Sequence, residues 1–165
     1  MDAGHEHKDG GPLDYDHIAD GIYAGTNQCC TTGLSEVLKK EGIVADISLE
    51  DVRIDHPFGV EAYLWLPTRD NTPPTQDQIA LGVETLTELV RQGKRVYVHC
   101  KNGHGRTSTL LAAYFMSRGK NLGEAIEIIK KGRPGIHLQD SQKQALADFS
   151  RRFSTRTNLK NNPKK

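Results

Sequence analysis

The chain has 165 residues, with 36% hydrophobic, 26% charged and 6% aromatic residues and a formal net charge of +1. That length suits one domain with a core of its own, and recurrent apolar runs such as Arg95-Val-Tyr-Val-His-Cys100 exclude a disordered chain. No stretch approaches the roughly 20 apolar residues of a membrane span, the first residues lack the apolar core of a secretory signal, and the balanced charge leaves no nucleic-acid footprint.

In chain order, residues 1–14 read as a polar tail carrying most of the acids of the N-terminal segment. Tyr15–Ala24 holds short β-like segments. Thr31 or Thr32 is placed to cap a helix bearing Leu34, Val37 and Leu38, stopped at Gly42. Ile43–Leu49 and Ala62–Leu66 are apolar runs of strand length, the second ended by Pro67. Thr75 and Gln78 form a capping box for a helix carrying Ile79, Val83, Leu86, Leu89 and Val90 at helical spacing, as far as Gly93. A strand at Val96–Val98 and a helix at Thr107–Arg118 follow, then a helix capped by Asn121 and Glu124 and stopped at Gly132. The last helix spans about Ser141–Phe153, and residues 154–165, with no acid after Asp148, read as a basic flexible tail. The pattern predicts a single α/β domain over 15–153, a mainly parallel sheet of about four to five strands with helices on its faces. In such sheets ligands bind at the carboxyl ends of the strands.

At one such end lies His99-Cys100-Lys101-Asn102-Gly103-His104-Gly105-Arg106-Thr107, leading directly into a helix. Two glycines allow the backbone to curl into a nest of amides, and the helix adds about half a positive charge at its N-terminus. Such a nest stabilises an anion, be it a phosphoryl group or a thiolate. Arg106 supplies a planar fork for two equatorial oxygens, and the Thr107 hydroxyl can donate to the sulfur when it leaves. The string lacks the Gly-Lys-Ser/Thr of a nucleotide-binding phosphate loop.

Cys-x5-Arg-Thr between a strand and a helix, preceded by His99, resembles the active-site loop of the cysteine-based protein tyrosine phosphatases, and the full string resembles their dual-specificity branch. Ile18–Gly25 and Arg133-Pro134-Gly135 followed by Gln142 are similar to further parts of that family, so the resemblance runs over about residues 15–150. It implies a phosphoric monoester hydrolase working through a phosphocysteine at Cys100, with the loop residues Lys101 to Arg106 binding substrate. It implies no metal and no other cofactor.

The family places a general acid on a loop before the cysteine. Leu66-Pro67-Thr68-Arg69-Asp70-Asn71-Thr72-Pro73-Pro74 is that kind of segment, and Asp70 is the match; Asp77, in the first turn of the following helix, is the competitor. Gln142 or Gln139 would position the hydrolytic water. His99 either holds the loop or is a satisfied core histidine, and Asp46, within an apolar strand, points less clearly to a site than Asp70. Cys29 and Cys30 read as packing residues, with trapping of an oxidised Cys100 as the alternative. His5 and His7 lack the frame of a metal site. Three cysteines cannot build a disulfide framework, which makes a cytoplasmic location the expectation.

Phosphorylated proteins or peptides rank first as substrate, through phosphotyrosine alone or phosphoserine and phosphothreonine as well, ahead of a phosphoinositide, an inositol phosphate or an RNA 5′-phosphate end. Lys101 and His104 in the loop are what a polyanionic substrate would use. A non-catalytic phosphate-binding module is the rival from another class.

Overall fold

The computed structural model describes residues 12–161. Strands β1 (Tyr15–Ala19), β2 (Ile22–Gly25), β3 (Ile43–Ser48), β4 (Ala62–Trp65) and β5 (Arg95–His99) form one sheet in the order β1-β2-β5-β3-β4. Only β1 and β2 are antiparallel; every other neighbouring pair is parallel. Their hairpin turns on Asp20-Gly21, both left-handed (φ 55° and 78°), the Asp-Gly pair that a two-residue hairpin favours. The helices are α1 (Glu36–Lys40), α2 (Gln76–Arg91), α3 (Arg106–Ser117), α4 (Leu122–Gly132) and α5 (Asp140–Asn161).

Strand periodicity divides the interior in two. Ile22, Ala24, Ala45, Ile47, Val96 and Val98 face a large core closed by Leu86, Leu110, Leu111, Tyr114, Ile129 and Leu146 of α2 to α5. Tyr23 and Tyr97, one residue out of step, face a smaller core with Cys29, Cys30, Leu34 and Leu38. β5 is the middle strand and runs straight through the loop 100–105 into α3, which lies against α2, α4 and α5. α2 and α3 approach closely because Gly82 has no side chain: a Cβ there would sit 2.6 Å from Leu110 Cδ1.

Three expectations are corrected. The first helix is capped by Ser35, whose hydroxyl accepts from the Val37 amide, and covers only Glu36–Lys40. Gly33 (φ +120°) breaks the chain after Thr32, and the Leu34 amide is engaged by the Phe58 carbonyl, so neither Thr31 nor Thr32 can act as the cap. The last helix does not end at Phe153 but continues to Asn161, so residues 154–161 are helical. No Gly or Pro occurs between Ser141 and Asn161, and the Ser154, Thr155 and Thr157 hydroxyls fold back on carbonyls four residues earlier. Asp14, placed in the N-terminal tail by the sequence, belongs to the domain: its carboxylate meets Arg133 at 3.1 Å. The rest of the two tails, residues 1–11 and 162–165, lies outside the described residues.

Leu110→Ala should cost about 2–5 kcal/mol, because the fully buried side chain fills the α2–α3 contact and its loss leaves a cavity. The half-exposed Val37→Ala should stay within about 0.5 kcal/mol. Urea unfolding of both variants checks the ranking.

Candidate active site

Cys100 ends β5 and is 3% exposed; Arg106, the first residue of α3, is 2% exposed. Between them the carbonyls are drawn outward. Asn27 N–H donates to the Lys101 carbonyl (3.2 Å), and Arg133 donates to those of Asn102 (2.9 Å) and Gly103 (3.3 Å). The amides of Asn102, Gly103 and Gly105 donate no hydrogen bond among the described residues. With the uncapped N-terminus of α3 they make a set of donors available to one anion.

The two loop glycines serve different ends. Gly103 has φ +69° and lies so close to β2 that a Cβ would sit 2.5 Å from the Gly25 carbonyl oxygen. Gly105 has an ordinary φ of −99°, and a Cβ there would meet only the Gln142 amide, at 3.1 Å. His104 and Lys101 are half-buried, and the His104 ring lies 6.0 Å from that of exposed His137.

Arg106 is satisfied by the chain that surrounds it. Its Nη1 donates to the carbonyls of Thr68 (2.8 Å) and Leu49 (3.3 Å) and to Asp51 (3.3 Å); its Nη2 faces Glu50 (3.1 Å) and Asp70 (3.3 Å). Its Nε, like the Thr107 hydroxyl, is buried without a hydrogen-bond partner among the described residues.

Asp70 thus meets Arg106, which stands with Thr107 at the start of the helix that the loop after Cys100 leads into. Asp70 stands in a turn where the Thr72 amide returns to the Arg69 carbonyl and Asn71 adopts φ +59°. Three carbonyls of this segment are tied down: Pro67 by Gln78, Thr68 by Arg106 and Thr72 by Gln142. Asp77 is elsewhere, lining an apolar groove between α2 and α5. Of the two glutamines, Gln142 is fully buried, takes the Gln139 amide on its oxygen (2.9 Å) and reaches Thr72 and Gly105 with its nitrogen. Gln139 is exposed and contributes its backbone.

His99 resolves as a buried group behind the loop. Its Nε2 meets Asp55 at 2.7 Å and Asp46 at 3.3 Å, and its Nδ1 faces the Cys100 carbonyl at 3.4 Å. Burial alone would lower its pKa, but the two carboxylates reverse this and raise it well above the ordinary value. Burial would raise Asp55, but the hydrogen bond and charge of His99, with Arg53 and Asp46, together outweigh it, so that carboxyl is held low. Asp46, which points less clearly to a site in the sequence than Asp70, belongs to this cluster because the strand alternation turns it to the face that carries Tyr97 and His99.

Two residues escaped the sequence reading. Glu50, 1% exposed, holds Arg106 with one oxygen and accepts from Asn27 Nδ2 (3.2 Å) with the other. Its signal was an acid directly after an apolar strand, at the sheet's carboxyl end. Arg133, read only as part of a late loop, spans from the loop carbonyls to Asp14 and Asp16 (2.6 Å).

Residues 22–152 match the family model described as "Dual specificity phosphatase, catalytic domain". A human protein named phosphatidylglycerophosphatase and protein-tyrosine phosphatase 1 is 38% identical over 101 residues, which is 60% of this chain and 50% of that protein. The Arabidopsis thaliana phosphatidylglycerophosphate phosphatase PTPMT2 is 34% identical over 91 residues, 54% of this chain and 40% of that one. The matched stretch therefore spans half or less of these relatives. Among solved structures, PTPMT1 superposes with a TM-score of 0.73 at 28% identity, covering 87% of this chain and 98% of that one. PTPMT1 in complex with PI(5)P gives 0.72 at 26%, with the same coverage.

Gly103→Ala should abolish oxyanion binding or destabilise the loop by about 1–3 kcal/mol of backbone strain, whereas Gly105→Ala should only weaken it. Vanadate titration of the two variants tests the contrast, and equal losses would refute it.

Proposed function

The chain belongs to the dual-specificity phosphatase family, and on that premise we propose that it hydrolyses phosphate monoesters of membrane lipids through a phosphocysteine at Cys100. The observation that carries the chemistry is the ring formed by Cys100, the unpaired amides and the unpaired Arg106 Nε, with Asp70 in contact with the same guanidinium. In this reading the Cys100 thiolate attacks phosphorus in line with the leaving oxygen, and the phosphorus–oxygen bond breaks as the sulfur–phosphorus bond forms. The amides and Arg106 take the charge of the equatorial oxygens, and the Asp70 carboxyl gives its proton to the leaving alkoxide. Water then attacks the phosphocysteine: Asp70 takes its proton, Gln142 orients it, and Thr107 donates to the departing sulfur. No metal enters these steps.

Support for a lipid comes from the rim. Leaving Arg106, the chain after Asp51 exposes Val52 (82%) and Ile54 (58%), large apolar side chains that directly follow a residue holding Arg106. Exposed Arg69 and half-buried Lys101 add positive charge around the same opening. Apolar residues next to cations suit the surface of an anionic membrane better than a soluble peptide. The names of the human and plant relatives and the PI(5)P complex of PTPMT1 point the same way, and they invert the order that the sequence suggests. Phosphotyrosine protein is the second reading, because the human relative's name includes that activity as well.

Cys100→Ser should abolish turnover of para-nitrophenyl phosphate while vanadate still binds. Asp70→Asn should lower kcat by roughly two to four orders of magnitude, and Asp77→Asn should leave it nearly unchanged. The reverse ranking would move the acid to Asp77.

The substrate class is tested with phosphatidylglycerophosphate and a phosphoinositide in vesicles, set against a phosphotyrosine peptide. A Val52→Asp, Ile54→Asp double variant should lose most of its kcat/KM on vesicles and keep its rate on para-nitrophenyl phosphate. A peptide preferred in wild type, or vesicle turnover untouched by the double variant, would restore the phosphoprotein reading.

A further inference from the structure

Behind the phosphate loop, on the sheet face covered by α1, five side chains converge that the proposed chemistry does not use. Cys29 and Cys30 come from the single turn of 3-10 helix over Asn27–Cys30, Asp46 from β3, Asp55 from the segment before β4 and His99 from the end of β5. All are buried, and each offers one ligand atom so that the five lie within 4.8 Å of one another.

Hydrogen bonding within the cluster is incomplete. The single Nε2 hydrogen of His99 goes to Asp55 Oδ2 at 2.7 Å, and Asp46 Oδ1 faces the same nitrogen at 3.3 Å without a hydrogen bond. Cys30 Sγ donates to Asp46 Oδ2 at 3.2 Å. Asp46 Oδ1 and Asp55 Oδ1 are nonetheless buried without a hydrogen-bond partner among the described residues. Arg53, at 3.6 Å from Asp55, is the cation beside the cluster. Two thiols, an imidazole and two carboxylates, each carboxylate with one buried oxygen left unpaired, form a donor set that a cation would complete.

We propose that this cluster is a structural zinc site, with Cys29, Cys30, His99 and Asp46 as ligands and Asp55 paired with Arg53 beside it. The donor set decides the metal class: two sulfurs and an imidazole suit zinc, whereas calcium and magnesium require oxygen. The spacing agrees. A tetrahedron with bonds of about 2.0–2.3 Å has edges of about 3.3–3.8 Å. Cys30 Sγ lies 3.2 Å from Asp46 Oδ2 and His99 Nε2 3.3 Å from Asp46 Oδ1, at or just below that range, and one ligand atom from each residue lies within 4.8 Å of the rest. At 2.7 Å the Asp55 contact is too short for an edge, which leaves Asp46 as the carboxylate ligand.

Protons balance simply. One zinc ion displaces two thiol protons and the His99 Nε2 proton, and all three pass to solvent. The imidazole's other nitrogen, Nδ1, already faces the Cys100 carbonyl. That is the outer partner a metal-bound histidine normally has, and it would link the ion to the first residue of the phosphate loop. Four protein ligands in a buried site leave no open position, so the ion braces four chain segments and takes no part in phosphoryl transfer.

The test uses the full chain produced in zinc-supplemented medium and passed through gel filtration. Elemental analysis should find about one zinc per chain, and X-ray absorption should fit two sulfur neighbours at about 2.3 Å. Cobalt(II) substitution should produce thiolate-to-cobalt charge-transfer bands. The Cys29→Ser, Cys30→Ser double variant, shown folded by circular dichroism, should lose the zinc. Zinc absent from folded wild type, zinc with no sulfur neighbour, or zinc kept by the folded double variant would each overturn the proposal. Should the double variant fail to fold, the absorption spectrum of wild type decides alone.

Discussion

A short loop can aim its N–H groups at one point only if its carbonyls find partners on the outside, because a buried polar group left unpaired costs about 1–3 kcal/mol. Much of the molecule is arranged around that requirement. The Lys101 carbonyl is taken by the backbone before the 3-10 turn, and those of Asn102 and Gly103 by Arg133 at the end of α4. Arg133 is itself a buried cation, 3% exposed, and must be neutralised. Asp14 and Asp16 do so, which is why the chain just before β1 is held against the far side of the domain. The phosphate loop is thus held open by residues more than a hundred positions apart in sequence.

Arg106 poses the same problem from within. It has to stay charged and directed at the loop while excluded from water, and its contacts divide by burial. Glu50 is 1% exposed and locked by Asn27, so that pair is permanent. The Asp70 side chain is 63% exposed, and an ion pair so well solvated is worth only about 0–1 kcal/mol. The segment that carries Asp70 is therefore held firmly at its two ends, at Thr68 by Arg106 and at Thr72 by Gln142, and only weakly at the carboxylate between them.

What was legible in the sequence follows from which forces act locally. The strands, the capping boxes at Thr75 and Asn121 and the strand–loop–helix around Cys100 are set by neighbours a few residues apart, and the structure has them. The length of α5 was underestimated because polarity was taken as a sign of disorder, when the absence of any breaker before Asn161 was the better guide. Ser35 displaced the threonines because a contact from Phe58, distant in sequence, claimed Leu34. Glu50 and Arg133 were invisible for a related reason: each is a charge whose partner lies 56 or about 117 residues away, and no periodicity encodes such pairs. Gln142 and Asp70 were named because a resemblance carried them; burial separates Gln142 from Gln139, and the contact with Arg106 separates Asp70 from Asp77.

The alternation of β5 explains how one strand can serve both the chemistry and its support. Val96, Val98 and Cys100 turn to the core beneath α2 to α5, while Tyr97 and His99 turn to the opposite core. The first residue of the loop is consequently fixed from both faces of the sheet, by helix packing on one side and by the His99 cluster on the other. Rigidity there leaves variation to the surface around the loop, which a common scaffold does not dictate: a solved structure only 20% identical shares this fold with a TM-score of 0.78. The chain leaving Arg106 at Asp51 is such a surface, with Val52 and Ile54 exposed on either side of Arg53 while Asp55 turns inward to His99.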